Sequence, residues 1–430
     1  MFLQKNNFSL YNFFCIFLFV CSIYLWSIKF NLFEARHLVI LLIIPIIYYN
    51  KFNKGDFIII LLCSILFLHK ALFIEGSQIL ESLLILFYLI VLIKILGQYY
   101  KIFLNTISYQ INLFFILFIL SSILTSLYYF YEHNILYTHC LLGCFSLFKF
   151  FFLENSHLGM MSSSLILYTL YLRSINDKKI SFVLFLIFLL ISFLNYSLTL
   201  VVGLIFNSLL ILLLFWKYIN LKYLIYLILT LIICLNIVLN NKSYMVKIQS
   251  VFQPIKNMLH DKKNINTNEF KQDENNKKNI NTNEFKQDEN NKKIIIHKNL
   301  SSDVWLKSIK IAFITVLKYP IGVGLNNYEV AHNKFIDNVT TSYELTKELN
   351  IQDASNNLMK IIVEFGIFSF VLVYLILKFI FSKKIELKYK IFLLPNILTQ
   401  LLFRGAGYFN GGFLIFIIVM TYLVYEKKVD

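Results

Sequence analysis

The sequence predicts an all-α, polytopic integral membrane helix bundle, with about twelve transmembrane helices and one large outward-facing loop. Three observations predict it. The chain is 58% hydrophobic and only 15% charged, whereas a soluble domain is about half apolar and about a quarter charged. Ile, Leu and Phe recur in long runs without alternation, which is the pattern of helices and not of barrel strands. In hydrocarbon only helices or closed barrels satisfy their own backbone groups. The soluble material, finally, is gathered in one polar island between about residues 240 and 356.

The apolar runs give spans of 9–28, 37–50, 56–73, 78–97, 110–131, 157–173, 179–195, 197–216, 222–240, 357–381, 390–404 and 411–426. Each is close to the roughly 20 residues that cross a bilayer. The second and the eleventh are short, so they are tilted or partly re-entrant. The first run is long, lacks a small-residue cleavage site and is followed by further spans, so it reads as a retained helix and not a signal peptide. Three regions follow. They are an N-terminal bundle at 1–240, a large loop at 241–356 and a C-terminal set of helices at 357–430.

Orientation follows from Lys and Arg in the short loops. One set of connections carries Lys5, Lys51, Lys54, Lys94, Lys101, Arg173, Lys178, Lys179, Lys217 and Lys222, and later Lys383, Lys384, Lys388, Lys390, Lys427 and Lys428. The opposite set carries only Lys29, Arg36, Lys70, Lys149 and Arg404. The bias is about threefold and places both termini in the cytoplasm. It also accounts for the net charge of +16, which in a soluble chain would point to nucleic acid; a nucleic-acid partner is therefore rejected. Arg occurs at three positions only, Arg36, Arg173 and Arg404, so planar two-pronged anion donors are scarce. The cysteines Cys15, Cys21, Cys63, Cys140, Cys144 and Cys234 show no metal spacing. Most of them fall in spans, as small apolar residues.

The loop has two parts. Residues 262–276 read KKNINTNEFKQDENN, and residues 277–291 repeat the same fifteen residues. With one Phe and one Ile per unit, this segment, within 241–300, buries too little apolar surface to order itself. The part at 301–356 reads as ordered. Ser301, Ser302 and Asp303 offer an N-cap. Trp305, Ile309, Phe313 and Val316 recur at helical spacing, which gives an amphipathic helix on the outer leaflet or against the bundle. Pro320 stops it. Gly322 and Gly324 follow in YPIGVGLNNY, a turn where backbone can approach a partner closely. No strand precedes the Gly-x-Gly, so no dinucleotide fold is supported.

The run from Trp305 through YPIGVGLNNY, followed by DASNNLMKIIVEFGIFSF, resembles the C-terminal half of O-antigen polymerases and ligases, which are bacterial inner-membrane glycosyltransferases. The positions that carry the resemblance are Trp305, Pro320, Gly322, Gly324, Ser355, Asn356, Glu364 and Gly366. FFFLENSHLGM resembles the outer-loop segment before the sixth helix of polymerases, and LLFRGAGYFNGG a polar hairpin of some of them. Two departures favour polymerase over ligase: ligases commonly carry His where Ser355 stands, and an Arg where Ser302 and Asp303 stand. The resemblance implies a periplasmic loop and an inner-membrane location. It implies undecaprenyl-pyrophosphate-linked oligosaccharides as substrates, no cofactor or metal, and flippase and chain-length regulator proteins as partners beside the membrane lipids.

That chemistry needs cations for the departing pyrophosphate and a base near the acceptor hydroxyl, at the membrane–water boundary. Arg404 ends an apolar span before Gly405, Gly407, Gly411 and Gly412, with Tyr408 between them; an Arg there also commonly snorkels. Glu154 is a candidate base or orienter, or a capping carboxylate, within a polar cluster with Asn155, Ser156 and His157. Lys149 is a phosphate-binding point charge or a plain boundary lysine. Glu364, among Ile361, Ile362, Val363 and Phe365, is costly if unpaired and should face inward and pair with a lysine or Arg404. His332 is a base or an incidental loop histidine, Asn356 caps the helix that follows, and Glu81 is a further buried carboxylate. The catalytic set is therefore Glu154, Arg404, His332 and Glu364. The binding set is Lys149, His157, Gly322, Gly324, Asn356 and Tyr408. A ligase acting on the same donor, and a flippase or transporter from a different class, remain open. Against transport stands the absence of two related halves.

Overall fold

The structure is a computed structural model that describes residues 10–25, 29–30, 33–44, 54–71, 79–133, 155–177, 179–194, 197–240, 300–339, 345–405, 407–408 and 410–426. Lys149, Glu154, Cys140, Cys144 and the tandem repeat lie outside the described residues, as does the Glu81 side chain. The fold is all-helical apart from two two-residue strands, and five windows among the described residues are long and apolar enough to cross a membrane.

Helix α1 (Leu10–Ile23) leads into a short ladder in which β1 (Lys29–Phe30) pairs antiparallel with β2 (Phe33–Glu34). A 3-10 helix, Ala35–Leu42, then buries Ala35, Val39 and Leu42 against α1. The predicted second span is thus a tight 3-10 element where it is described. Pro45, which has no amide to give a helical ladder, follows closely. Next come α2 (Lys54–Ala71), α3 (Ile79–Asn105) and α4 (Ile107–His133). The predicted end of α3 at Gly97 is wrong. The helix runs on because Tyr422 packs over Gly97 and because Tyr99, Tyr100 and Phe103 continue the buried face.

The core of the bundle is made by α5 (Asn155–Ser174), α6 (Phe182–Leu194), α7 (Leu198–Phe215) and α8 (Leu221–Asn240). Helices α5 and α7 pack most closely because small residues face each other. A Cβ at Gly203 would meet Ser163 Oγ at 2.8 Å, and Gly159 lies against Ser197 and the Leu200 amide. Close approach through small residues is how helices gain contact where lipid removes the hydrophobic drive. Elsewhere rings fill the interior, with Phe115 and Phe188 stacked at 4.4 Å between α4 and α6. Apolar side chains such as Leu213 and Val183 point outward, a surface suited to lipid and not to water.

The loop segment supplies α9 (Leu300–Lys318), α10 (Tyr328–Phe335) and α11 (Leu345–Glu348). Helix α9 begins at Leu300, so Asp303 stands inside its first turn and not at its cap. There its charge still complements the helix dipole. Of the apolar stripe read from the sequence, Phe313 is 66% exposed, with Leu317 beyond it at 67%, while Trp305, Ile309 and Val316 are half-buried. Inward go Val304, Lys307, Ser308, Ile311, Ala312 and Thr315. The predicted span 357–381 recurs with the same bounds as a stretch long and apolar enough to cross a membrane, but its helix is interrupted. It forms α12 (Asn357–Phe365), a 3-10 turn Gly366–Phe368, and α13 (Ser369–Phe381). Helix α14 (Leu387–Leu402) carries Pro395, and Asn396 Nδ2 donates to Phe392 O at 2.7 Å beside that interruption. Lys390 donates to Ile380 O and Ser382 O at 2.8 and 2.6 Å, closing the C-terminal end of α13. Helix α15 (Phe413–Tyr425) ends the fold.

Candidate active site

The centre of the site is the meeting of the Pro320–Gly324 turn with the break in α12. In an unbroken helix the Ile367 amide would bond to the Val363 carbonyl. Here Ile367 N donates to Pro320 O at 2.8 Å, and Val323 N takes its place on Val363 O at 3.1 Å. Gly324 N likewise serves Glu364 O at 2.9 Å. The loop thus completes the ladder that the helix gives up, supplying donors to Val363 O and Glu364 O. Such backbone-to-backbone docking leaves no room for side chains. A Cβ at Gly322 would strike the Glu364 carbonyl, and one at Gly366 the Pro320 carbonyl, and both glycines have positive φ. From the other side the end of α2 closes on the turn. His69 Nε2 lies 3.3 Å from Gly322 O, Asn327 Nδ2 reaches Lys70 O at 3.4 Å, and a Cβ at Gly324 would meet Lys70 Cα at 2.6 Å. The close partner expected for Gly322 and Gly324 is therefore the chain's own backbone.

Beneath this turn lies an ionic cluster. Glu364 is 0% exposed and accepts hydrogen bonds from Asn326 N at 2.7 Å and Tyr328 N at 3.2 Å. Lys360, one turn earlier on α12, sits 4.0 Å from Glu364 and 3.8 Å from Asp353. Lys360 also donates to Gln352 O at 2.7 Å and to Asn326 Oδ1 at 3.2 Å, and lies 5.2 Å from the centre of the Tyr408 ring. A buried carboxylate with amide donors and a lysine is an anchor, holding α12, α10 and the Gly turn in one arrangement.

The hairpin between α14 and α15 forms the third wall. It interlocks with the turn before α12, where Ala354 and Ser355 stand at φ +55° and +64°. Two consecutive non-glycine residues there carry strain of a kind that gathers at functional sites. Asn356 Oδ1 caps α12 by accepting from Met359 N at 2.9 Å. Gly405 N donates to Ser355 O at 3.1 Å, Gly405 packs on Asn357, and Gly407 lies by Asp353. Arg404 N bonds Thr399 O at 3.2 Å. Trp305 Nε1 donates to Leu402 O at 3.3 Å, so the start of α9 is pinned to the same helix end. At the far end of the hairpin, Arg36 Nη1 donates to Asn410 Oδ1 at 2.6 Å, across 374 positions of sequence.

Helix α9 adds a second buried lysine. Lys307 donates to the carbonyls of Thr346, Lys347 and Leu349 at 2.9, 3.4 and 2.6 Å, closing the C-terminal end of α11. Burial pulls its ammonium down to about 8, opposed by Asp303. His332 is only 2% exposed; burial, and next Lys307, hold it below the usual histidine value, so it is neutral near pH 7. The folded Lys307 therefore releases its proton more readily than the unfolded chain, whose lysines titrate near 10.4. Between about pH 8 and pH 10.4 unfolding takes up a proton, so stability rises with pH there. Thermal midpoints of wild type and Lys307→Met should diverge in favour of wild type across that window. A constant difference would count against the burial argument.

The structure thus gathers Glu364, Gly322, Gly324, Asn356 and Tyr408 at one place, with Arg404 on the adjoining hairpin. His332 stands one turn along α10 from Tyr328, away from that cluster. His157 is buried near the start of α5, one turn from Met160, whose Cε lies 3.2 Å from where a Gly411 Cβ would be. Sequence reasoning missed Lys360, Asp353, Asn326, Lys307 and Arg36. The first had a signal, since Lys at i and Glu at i+4 face each other on a helix. Arg36 had one too, in the rarity of Arg. An apolar groove of about 270 Å³, lined by Leu89, Ile361, Phe365, Leu372, Tyr408 and Leu414 among others, runs from this cluster along α13 and α15.

Residues 180–374 match the family model described as O-antigen ligase. No curated protein and no solved structure matches the chain.

Proposed function

We propose, from the O-antigen ligase family domain that the chain carries at residues 180–374, that this membrane protein joins lipid-linked oligosaccharide units into a surface polysaccharide. The matched segment holds both halves of the docked turn, Pro320–Gly324 and Glu364–Gly366, and that coincidence carries the reading. The reaction runs at the periplasmic face of a twelve-crossing inner-membrane bundle with cytoplasmic termini. A sugar hydroxyl of one unit attacks the anomeric carbon of another. The bond from that carbon to undecaprenyl pyrophosphate breaks, the pyrophosphate keeps the electron pair, and the hydroxyl proton passes to a base.

Arg404, beside the membrane boundary on a Gly-rich hairpin, is the cation for the developing pyrophosphate charge. Glu154 is the candidate base, with His332 as its neutral alternative; Lys149 and His157 are candidate substrate-binding residues. Glu364 organises the turn without touching substrate. The apolar groove beside Tyr408 suits the isoprenoid tail. Ser355, standing where ligases carry His, favours a polymerase. The description of the matched family favours a ligase using the same donor.

A gel of surface-glycan length separates the two: gene loss leaves single-repeat chains for a polymerase and no attached chains for a ligase. In the complemented strain, Arg404→Ala should abolish long chains and Arg404→Lys should restore only short ones, since Lys lacks the two-pronged fork. Normal ladders from Arg404→Ala and Glu154→Ala at normal protein levels would overturn the assignment. The flippase and the chain-length regulator expected beside such an enzyme are proposed partners.

A further inference from the structure

We infer that the amide side chains of Asn357 and Gln400, beneath the 404–412 hairpin, form a subsite for the hydroxyls of an uncharged sugar ring. The inference rests on the glycan-joining function proposed above and assigns where the sugar, as opposed to the pyrophosphate, is read.

Both residues are 0% exposed. Neither polar atom of the Asn357 amide has a protein partner among the described residues, and the same holds for Gln400 Oε1 and Asn356 Nδ2. Gln400 spends only its Nε2, on Gly411 O at 2.9 Å. These groups converge on the hairpin. A Cβ at Gly405 would strike Asn357 Oδ1, and one at Gly411 would meet Gln400 Oε1 at 3.2 Å. Backbone bonds tie the hairpin to both elements: Gly405 N bonds Ser355 O, and Arg404 N bonds Thr399 O, next to Gln400.

Buried polar groups left without partners cost stability, and a group of them in one place calls for an explanation. A carboxamide offers a donor and an acceptor side by side, which matches neighbouring sugar hydroxyls. It carries no charge to hold a phosphate. The adjacent Arg404 does, so sugar and pyrophosphate are sorted by chemistry across one hairpin. Entry requires the hairpin to give way. Gly407, Gly411 and Gly412 all sit at positive φ, and glycine changes backbone conformation at least steric cost. A site built on buried amides rejects ligands that lack the matching hydroxyl, because its own groups then stay unpaired.

The test uses the full chain in detergent micelles and the carrier-free oligosaccharide repeat released from the host's surface glycan, with binding followed by calorimetry. Asn357→Leu, similar in shape and apolar, should weaken oligosaccharide binding about tenfold or more. Its thermal midpoint should hold or rise, since an unpartnered amide has gone. Gln400→Met is the second variant should the first fold poorly. Inorganic pyrophosphate should bind both variants as it binds wild type, and fail on Arg404→Ala. Oligosaccharide binding by both variants at wild-type strength overturns the subsite, as does a wild type that binds pyrophosphate but no oligosaccharide. A gene deletion that leaves surface glycan unchanged would instead overturn the parent function. A deletion that loses the glycan, fully restored by Asn357→Leu, removes the subsite alone.

Discussion

Lys360→Met should unfold the site and abolish glycan assembly, while Glu364→Gln should leave a folded protein. The asymmetry follows from what each change leaves behind. Removing Lys360 strands a carboxylate that is 0% exposed, facing two backbone amides with no counter-charge. Breaking a buried pair from one side costs about 3–5 kcal/mol, a large part of the roughly 5–15 kcal/mol that holds a typical protein folded. Gln at 364 removes the charge and keeps an oxygen for one of the amide donors, so the cost falls to about 1–3 kcal/mol. The double variant Lys360→Met/Glu364→Gln should then be more stable than Lys360→Met alone, since its buried charge is gone. Fluorescence-detected gel filtration after a temperature series gives the order. A double variant no better than the single lysine change would show that the pair is not coupled.

Gly366→Ala should be the most damaging single-methyl change in the chain. The residue sits at φ +51° and ψ −126°, a sparsely populated region where a non-glycine side chain strains the backbone by about 1–3 kcal/mol. The added carbon also strikes the Pro320 carbonyl and approaches Gly322 N at 2.6 Å. Both neighbours are backbone, so no rotamer change relieves the clash. Either the turn lifts off, stranding the hydrogen bonds to Val363 O and Glu364 O, or α12 and α13 fuse into one straight helix. We expect little folded protein from Gly366→Ala, and near-normal yield from Gly97→Ala, where the neighbour is the Tyr422 hydroxyl end of a side chain. Equal yields would mean that the turn does not dock as described.

Much of the bundle was legible because hydrocarbon enforces simple rules. Apolar runs near the bilayer length become helices, and nine of the predicted spans recur within a few residues, as α1, α2, α4–α8, α14 and α15. The misses share a cause. The end of α3, the 3-10 element at Ala35–Leu42 and the break at Gly366 each depend on a remote partner: Tyr422, α1 and the Pro320 turn respectively. Apolar composition is blind to such contacts, and Gly366 lies in a stretch that reads as uniformly membrane-spanning.

At the site, single residue types were readable and their pairings were not. Glu364 announced itself as a carboxylate among apolar neighbours, and its lysine was expected in kind. Asn356 was read as a cap, which it is. The sequence left open whether the apolar stripe of α9 meets the outer leaflet or the bundle. In the structure Lys307 and Ser308 go inside while Phe313 and Leu317 go out.

The sequence by itself determined that this is a helical membrane protein with one long polar segment, because apolar run length and charge are properties that each segment carries alone. Only the tertiary structure decided that the loop turn completes a broken helix, that Lys360 rather than Arg404 serves Glu364, and that Arg36 reaches Asn410. Those are contacts between segments far apart in the chain, fixed by the need of buried backbone and charge to find partners wherever the packing places them.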